Sequence, residues 1–154
     1  MSTSSLEEAL IDLFAAEEID VARFGLRHSN GALKGKIKFA NNLAAAAFGR
    51  YDRNFVAHLN NLAAVVRAQG RYSEAEALFR EAIEIGVATI GTAHPEYAKH
   101  LGNLGVNMYF QEKYAEARAL LEQALVIRKA ALPADHPDIA MNEANLVAVI
   151  AKLS

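Results

Sequence analysis

The chain has 154 residues, of which 53% are hydrophobic, and its 16 basic and 18 acidic residues give a net charge of −2. This length suffices for the core of one domain, and the balanced charge gives no reason to expect a nucleic-acid or membrane-surface partner. Cysteine is absent, which excludes disulfides and thiol chemistry. The start lacks a secretory signal pattern, and no run of 18 apolar residues predicts a membrane span. A soluble cytoplasmic protein is therefore expected.

The sequence pattern of the first fifty residues predicts a degenerate helical repeat over 5–50, which caps the N-terminal end of the domain. Ser5 and Glu8 form a capping-box pattern ahead of an apolar stretch. A helix over about 32–48 stands in register with a segment 42 residues downstream. The stretch NNLAAAAFGRY at 41–51 also echoes 60–72, which leaves open whether this helix imitates the other helix of the unit.

Residues 52–93 and 94–135 read as two copies of one 42-residue unit. Seven of the fourteen residues from 72 to 85 are identical to those 42 positions later. His94-Pro95 recurs as His136-Pro137 in the same way. A fixed period between 20 and 50 residues predicts a stack of repeated helical units.

Each unit predicts two helices joined by a short turn. The first helix covers about 54–68 and ends at Gly70 in a left-handed C-cap. The second starts at Ser73, whose spacing to Glu76 predicts a capping box, and ends between Gly86 and Gly91. The same pattern predicts three further helices, at about 95–111, 115–131 and 137–152.

The positions of the prolines and of the small residues support this assignment. Pro95 suits the first turn of a helix, and Pro133 ends the fourth one. Small residues recur where paired helices must cross closely, at Ala63 and Gly105 on first helices and at Ala75 and Ala117 on second helices.

Two stretches resemble tetratricopeptide repeats of the 42-residue kinesin-light-chain variety: HLNNLAAVVRAQGRYSEAEALFREAIEI and HPEYAKHLGNLGVNMYFQEKYAEARALLEQALVI. The His-Pro opening and the Asn-Leu of each first helix are typical of that variety. Glu112 departs from it at the turn glycine, and Asp52-Arg53 stands where His-Pro would begin a unit. The resemblance implies an all-α, right-handed α–α superhelix of antiparallel helix pairs. It implies one domain over 1–154, with repeats at 52–93 and 94–135 and a half repeat or capping helix at 136–154.

The resemblance also implies that the first helices line a concave groove, where their asparagines contact peptides. Asn61, Asn103 and Asn145 recur at one position of three successive first helices, and amides can bind an extended peptide backbone. Alternatively, these asparagines bond to neighbouring helices and hold the curvature. Tyr109 and Phe110 are equally compatible with partial core packing. The expected partner-binding residues, which suit a hydrophobic and acidic segment, are Asn60, Asn61, Arg67, Lys99, Asn103, Val106, Tyr109, Phe110 and Asn145.

The last helix, at 137–152, has an unusually apolar surface. Leu146 and Ile150 match the core stripe of the earlier units and are expected to pack on the preceding pair. The remaining face carries little polar surface, with Ile139, Ala144, Val147, Ala148 and Ala151. Such a face is either a tolerable end of the stack or a contact site for another copy or a longer parent chain.

Nothing in the sequence predicts catalysis, a cofactor or a metal site. It contains no glycine-rich phosphate loop, H-E-x-x-H motif or nucleophile setting. Four histidines follow the period, which is typical of capping and packing: His58, His94, His100 and His136. The sequence predicts a non-enzymatic scaffold for a protein or peptide partner. A self-assembly module, acting through residues 137–152, and a part of a larger multi-domain regulator remain alternatives.

Overall fold

The computed structural model describes residues 53–154, which form five helices and no strand. The helices are α1 (Arg53–Ala68), α2 (Tyr72–Thr89), α3 (Pro95–Phe110), α4 (Tyr114–Ala131) and α5 (Pro137–Leu153). The predicted starts and ends lie within one residue of these bounds, and α2 ends inside the range expected for it. The repeat predicted over 5–50 lies outside the described residues.

Short turns fold consecutive helices back on each other as antiparallel pairs. Three residues join α1 to α2 and α3 to α4. Gly70 has φ +77°, the left-handed conformation predicted for it, and Glu112 adopts φ +61° at the equivalent place in the second unit. A side chain in that conformation costs about 1–2 kcal/mol, so the second turn is the more strained.

Two histidines cap the first helices of the second and third units. The Nδ1 atom of His94 accepts a hydrogen bond from the backbone N–H of Glu96 at 3.1 Å. His136 accepts one from Asp138 at the same distance. A proline follows each histidine in the first turn, as the sequence predicted.

The capping box predicted for α2 is wrong. The helix begins at Tyr72, and its N-cap, Arg71, makes no side-chain capping bond. Ser73 therefore lies inside the first turn. Glu76 instead accepts hydrogen bonds from Gln111 at 2.9 Å and Lys113 at 3.3 Å, both in the turn of the next unit.

The core lies between the helices of each pair and between successive pairs. Ala63, Ala75 and Ala117 are fully buried, as expected for helix crossings. At Gly105 a Cβ atom would stand only 2.9 Å from Cγ of Leu121, so α3 and α4 approach as closely as glycine permits. The α1 helix also touches α3, and α3 touches α5, so the first helices form one continuous layer.

The packing of α5 corrects two expectations. Ile139, predicted on the outer face, is buried, whereas Ile150, predicted in the core stripe, is 41% exposed. The positions equivalent to Ile150 in the earlier units, Val66 and Met108, are buried in helix pairs, but no second helix covers α5 within residues 53–154. Leu146 does pack against the core, as predicted. Across the described helices, none is both long enough and apolar enough to cross a membrane.

Candidate functional site

The three recurrent asparagines lie on the layer formed by α1, α3 and α5, but their surroundings differ. Asn61 is exposed, and Asn103 and Asn145 are partly buried. The Nδ2 atom of Asn103 donates to Oδ1 of Asn60 at 3.1 Å. The amides of Asn61 and Asn145 make no hydrogen bond with any residue of 53–154.

Asn60 and Arg67 join α1 to α3 beneath this row. Asn60 is buried, and its amide oxygen is held by Asn103. Arg67 donates from Nη1 to the backbone oxygen of Asn103 at 3.2 Å, and its guanidinium lies 5.5 Å from the ring centre of Phe79. Desolvation lowers the pKa of Arg67, an effect that Tyr72 partly opposes. At this junction the alternative interpretation applies, in which the asparagines bond to neighbouring helices.

The aromatic residues at the end of α3 divide between packing and exposure. Tyr109 packs against the core and meets Phe110 and Tyr114 edge to face. Phe110 is 50% exposed and stacks on Tyr72 of the preceding unit, with ring centres 5.4 Å apart. Phe110 therefore offers a fixed aromatic surface, whereas Tyr109 mainly supports it.

A pocket of about 160 Å³ opens between α3, α4 and α5. It combines three predicted residues of α3 with Asn145, and its lining is Val106, Tyr109, Phe110, Leu121, Asn145, Ala148 and Val149. The volume resembles that of an engineered cavity of about 150 Å³ that binds benzene. The pocket can hold one medium-sized apolar side chain beside one amide.

Helices α1, α3 and α5 carry four Arg or Lys residues and three Asp or Glu residues, and the two lysines lack an acidic partner among the described residues. Lys99 and Lys152 are exposed and form no ion pair within the described part of the chain. Glu96 is paired with Arg53 at 2.8 Å. The remaining charge therefore favours an acidic ligand.

Sequence reasoning missed a buried polar cluster beneath the pocket side of α3. Arg128 and Asn142 are both buried, and Nη1 of Arg128 donates to Oδ1 of Asn142 at 2.8 Å. Asn142 in turn donates to the backbone oxygen of Leu121 at 2.9 Å. The available signal was a departure from the repeat, because Arg128 stands where the first unit has Gly86, and Asn142 stands where both earlier units have histidine.

The periodic histidines outside the caps serve as packing residues. His100 is buried beside Gly86, and desolvation lowers its pKa from 6.5 to about 4; nearby Glu96 opposes this shift and Lys99 reinforces it. Within 53–154 no group of three His, Cys, Asp or Glu side chains could hold a metal ion.

The chain is similar to known repeat proteins in both sequence and structure. The family model for the tetratricopeptide repeat matches residues 55–130. BtubC (BKLC) from P. vanneervenii has a similar structure, with a TM-score of 0.67 and 23% identity over 77% of this chain and 50% of that one. A Podosopora anserina protein, described as a kinesin light chain with nearly identical TPR-like repeats, gives a TM-score of 0.66 and 22% identity over 78% of this chain and 60% of that one.

The chain thus spans only half to three-fifths of the length of these two structures. No curated protein sequence matches the chain closely enough to count as a relative. The structural likeness confirms the all-α superhelical fold of tetratricopeptide-repeat proteins.

Proposed function

We propose that the chain, whose residues 55–130 match the family model for the tetratricopeptide repeat, is a non-enzymatic scaffold that binds an extended peptide segment of a partner protein. Tetratricopeptide repeats mediate protein–protein interactions, and the fold is typically non-enzymatic. The proposed units are residues 52–93, 94–135 and 136–154. The proposed binding surface, called the groove here, comprises the outward faces of α1, α3 and α5 that carry Asn61, Asn103 and Asn145.

One observation carries the proposal: the amide of Asn145, which has no hydrogen-bond partner among residues 53–154, lies at the wall of the apolar pocket between α3 and α5. An amide that donates and accepts can hold a peptide backbone without reading its sequence. The adjoining pocket then takes one apolar side chain and supplies selectivity. The helices fix both groups in place, so binding does not require ordering them first.

The proposal is tested by selecting peptides on the immobilised protein from a random display library and measuring their affinities by fluorescence anisotropy. The double variant Asn61→Ala/Asn145→Ala removes both amides without breaking a hydrogen bond between described residues. We expect its affinities to fall by about tenfold or more, since two hydrogen bonds of about 1 kcal/mol each are lost.

The matched control is Gln123→Ala, which removes an exposed amide from α4, outside the groove. It should leave the affinities unchanged. If the double variant and this control bind the selected peptides equally well, the amide row does not hold the peptide and the proposal fails.

A second candidate function is self-assembly through α5, and the exposure of its apolar face favours it. Val147 is 68% exposed, although the equivalent Ala63 and Gly105 are buried at helix crossings. Sedimentation over a range of concentrations tests this candidate. A dimer that Val147→Glu dissociates would support it, and a monomer at every concentration would reject it.

A further inference from the structure

His100 of α3 is a buried imidazole at the junction between α2 and α3. It is 1% exposed, and its ring lies against α2 at Gly86, where a Cβ atom would stand 3.7 Å from Cδ2 of His100. Both ring nitrogens are buried, and neither has a hydrogen-bond partner within residues 53–154. A neutral ring leaves one donor and one acceptor unsatisfied, whereas a protonated ring would leave two donors and a full charge. The closed junction therefore favours the neutral imidazole.

The charged groups of α3 and α1 give a protonated His100 little support. Glu96 favours protonation, but its carboxylate is already paired with Arg53 of α1 at 2.8 Å. Lys99 opposes protonation. Arg67, the other cation of α1, donates to the backbone of α3 and supplies no acceptor to the ring.

The charged groups of α2 and α4 lie on other sides of their helices. Along α2, the titratable side chains nearest to Gly86 are Glu81 and Glu84, which stand roughly 140–160° around the helix from it. On α4, Arg128 lies against Gly102, on roughly the opposite side of α3 from the imidazole. Burial outweighs the nearby charges and lowers the pKa of His100 from 6.5 to about 4.

The equivalent junction between α4 and α5 has no buried imidazole. Asn142 takes the place of His100 there, and Arg128 takes the place of Gly86. The two side chains are joined by a hydrogen bond of 2.8 Å, and Asn142 also donates to the backbone oxygen of α4 at 2.9 Å. Neither an amide nor a guanidinium changes its charge between pH 7 and pH 5. Acid therefore acts on the α2–α3 junction and leaves the contact between Arg128 and Asn142 intact.

We propose that His100 is an acid-sensitive switch, which on protonation separates the helix pair α1–α2 from the rest of the stack. A pair that loses a neighbour loses much of its stability, because it cannot bury its apolar face alone. Opening also parts Asn61 on α1 from Asn103 and Asn145 on the later first helices. The switch thus regulates the groove, and in this respect the inference rests on the proposed function.

Hydrogen exchange of the backbone amides at pH 7 and pH 5, corrected for the intrinsic exchange rate, measures the opening of each helix. The amides of α2 report on the junction that His100 occupies. In the open state the ring titrates with the ordinary pKa of histidine, so it binds a proton before the closed state does. The equilibrium constant for opening of α2 should therefore rise about twentyfold between pH 7 and pH 5.

Two variants isolate the contribution of His100. In His100→Gln the twentyfold rise should disappear from α2, while α5, which docks at the other junction, should exchange as in the wild type at each pH. His94 and His136 remain in this variant, so their protonation does not contribute to the difference. The double variant Gly86→Arg/His100→Asn installs the side chains of the α4–α5 junction, and its α2 should be equally insensitive to acid. A rise that persists in both variants, or a wild-type α2 whose opening is independent of pH, would overturn the switch.

Failure of the switch is distinguishable from failure of the groove. A selected peptide that spans α1 and α3 binds only the closed stack, so at pH 5 it should slow the exchange of α2 as its concentration exceeds its dissociation constant. If selected peptides bind through Asn61 and Asn145 while the opening of α2 ignores pH, the groove stands and the switch is rejected. If α2 opens through His100 but the selected peptides neither slow it nor respond to the double asparagine variant, the switch stands and the proposed function fails.

Discussion

The close approach of α3 and α4 predicts opposite effects for alanine at two glycines of one helix. In Gly105→Ala the new methyl would stand 2.9 Å from Cγ and 3.2 Å from Cδ2 of Leu121, and 3.4 Å from the backbone oxygen of Ala117. Leu121 is itself buried, so it cannot move aside into solvent. Overpacking of this kind costs about 1–3 kcal/mol, against a gain of about 1 kcal/mol from removing a helical glycine.

The matched variant is Gly102→Ala, whose methyl meets its nearest neighbour at 3.6 Å. It should gain stability by about 0.5–1 kcal/mol, because only the helix propensity changes. The free energy of unfolding should therefore differ between the two variants by about 1–3 kcal/mol, with Gly105→Ala the less stable. Urea unfolding followed by circular dichroism measures this difference. If Gly105→Ala proved as stable as Gly102→Ala, the crossing would have room to relax and the reasoning would be refuted.

Two further predictions concern the turns and the core. Glu112→Gly should raise the free energy of unfolding by about 1 kcal/mol, because glycine adopts φ +61° without steric cost. Gly70→Ala should lower it by a similar amount. If urea unfolding gave both variants the stability of the wild type, this reasoning would be contradicted. His100 has a folded pKa of about 4 against 6.5 unfolded, so the unfolded state binds the proton first and stability falls as the pH drops from about 6.5 towards 4. Between pH 7 and 4.5 the wild type should lose about 2–3 kcal/mol more than His100→Gln, and a pH-independent difference between their unfolding free energies would show that His100 is not held neutral.

The sequence predicted the helices well because their signals are local and occur more than once. Gly70 and Pro95 mark a helix end and a helix start by backbone geometry alone, and the 42-residue period repeats the apolar stripe. The capping box failed because Glu76 has tertiary partners, Gln111 and Lys113, that compete for its carboxylate. A local pattern contains no information about a turn 35 residues away.

The site was predicted less completely, for a related reason. Periodicity placed Asn61, Asn103 and Asn145 on one layer, but it could not show that the amide of Asn103 bonds to Asn60 while that of Asn145 has no partner within 53–154. Likewise Ile150 carries the pattern of a buried residue, yet its burial depends on a second helix that is not present beside α5 in the described chain. The contacts of a side chain between two helices depend on the residues of both helices. The 42-residue period gives the position of the side chain on its own helix but not the residue that faces it.

The buried polar contacts differ between successive helix junctions, and this difference affects the order in which the similar units can pack. Between α2 and α3, Gly86 leaves room for His100. Between α4 and α5, Arg128 occupies the equivalent position and bonds to Asn142, so the two junctions have different contacts. A helix docked one module out of place would set the guanidinium against an imidazole, or leave Asn142 without its donor, and an unmet buried polar group costs about 1–3 kcal/mol. Repeated units with similar sequences can pack in the wrong order, and these junction-specific contacts disfavour such misassembled states.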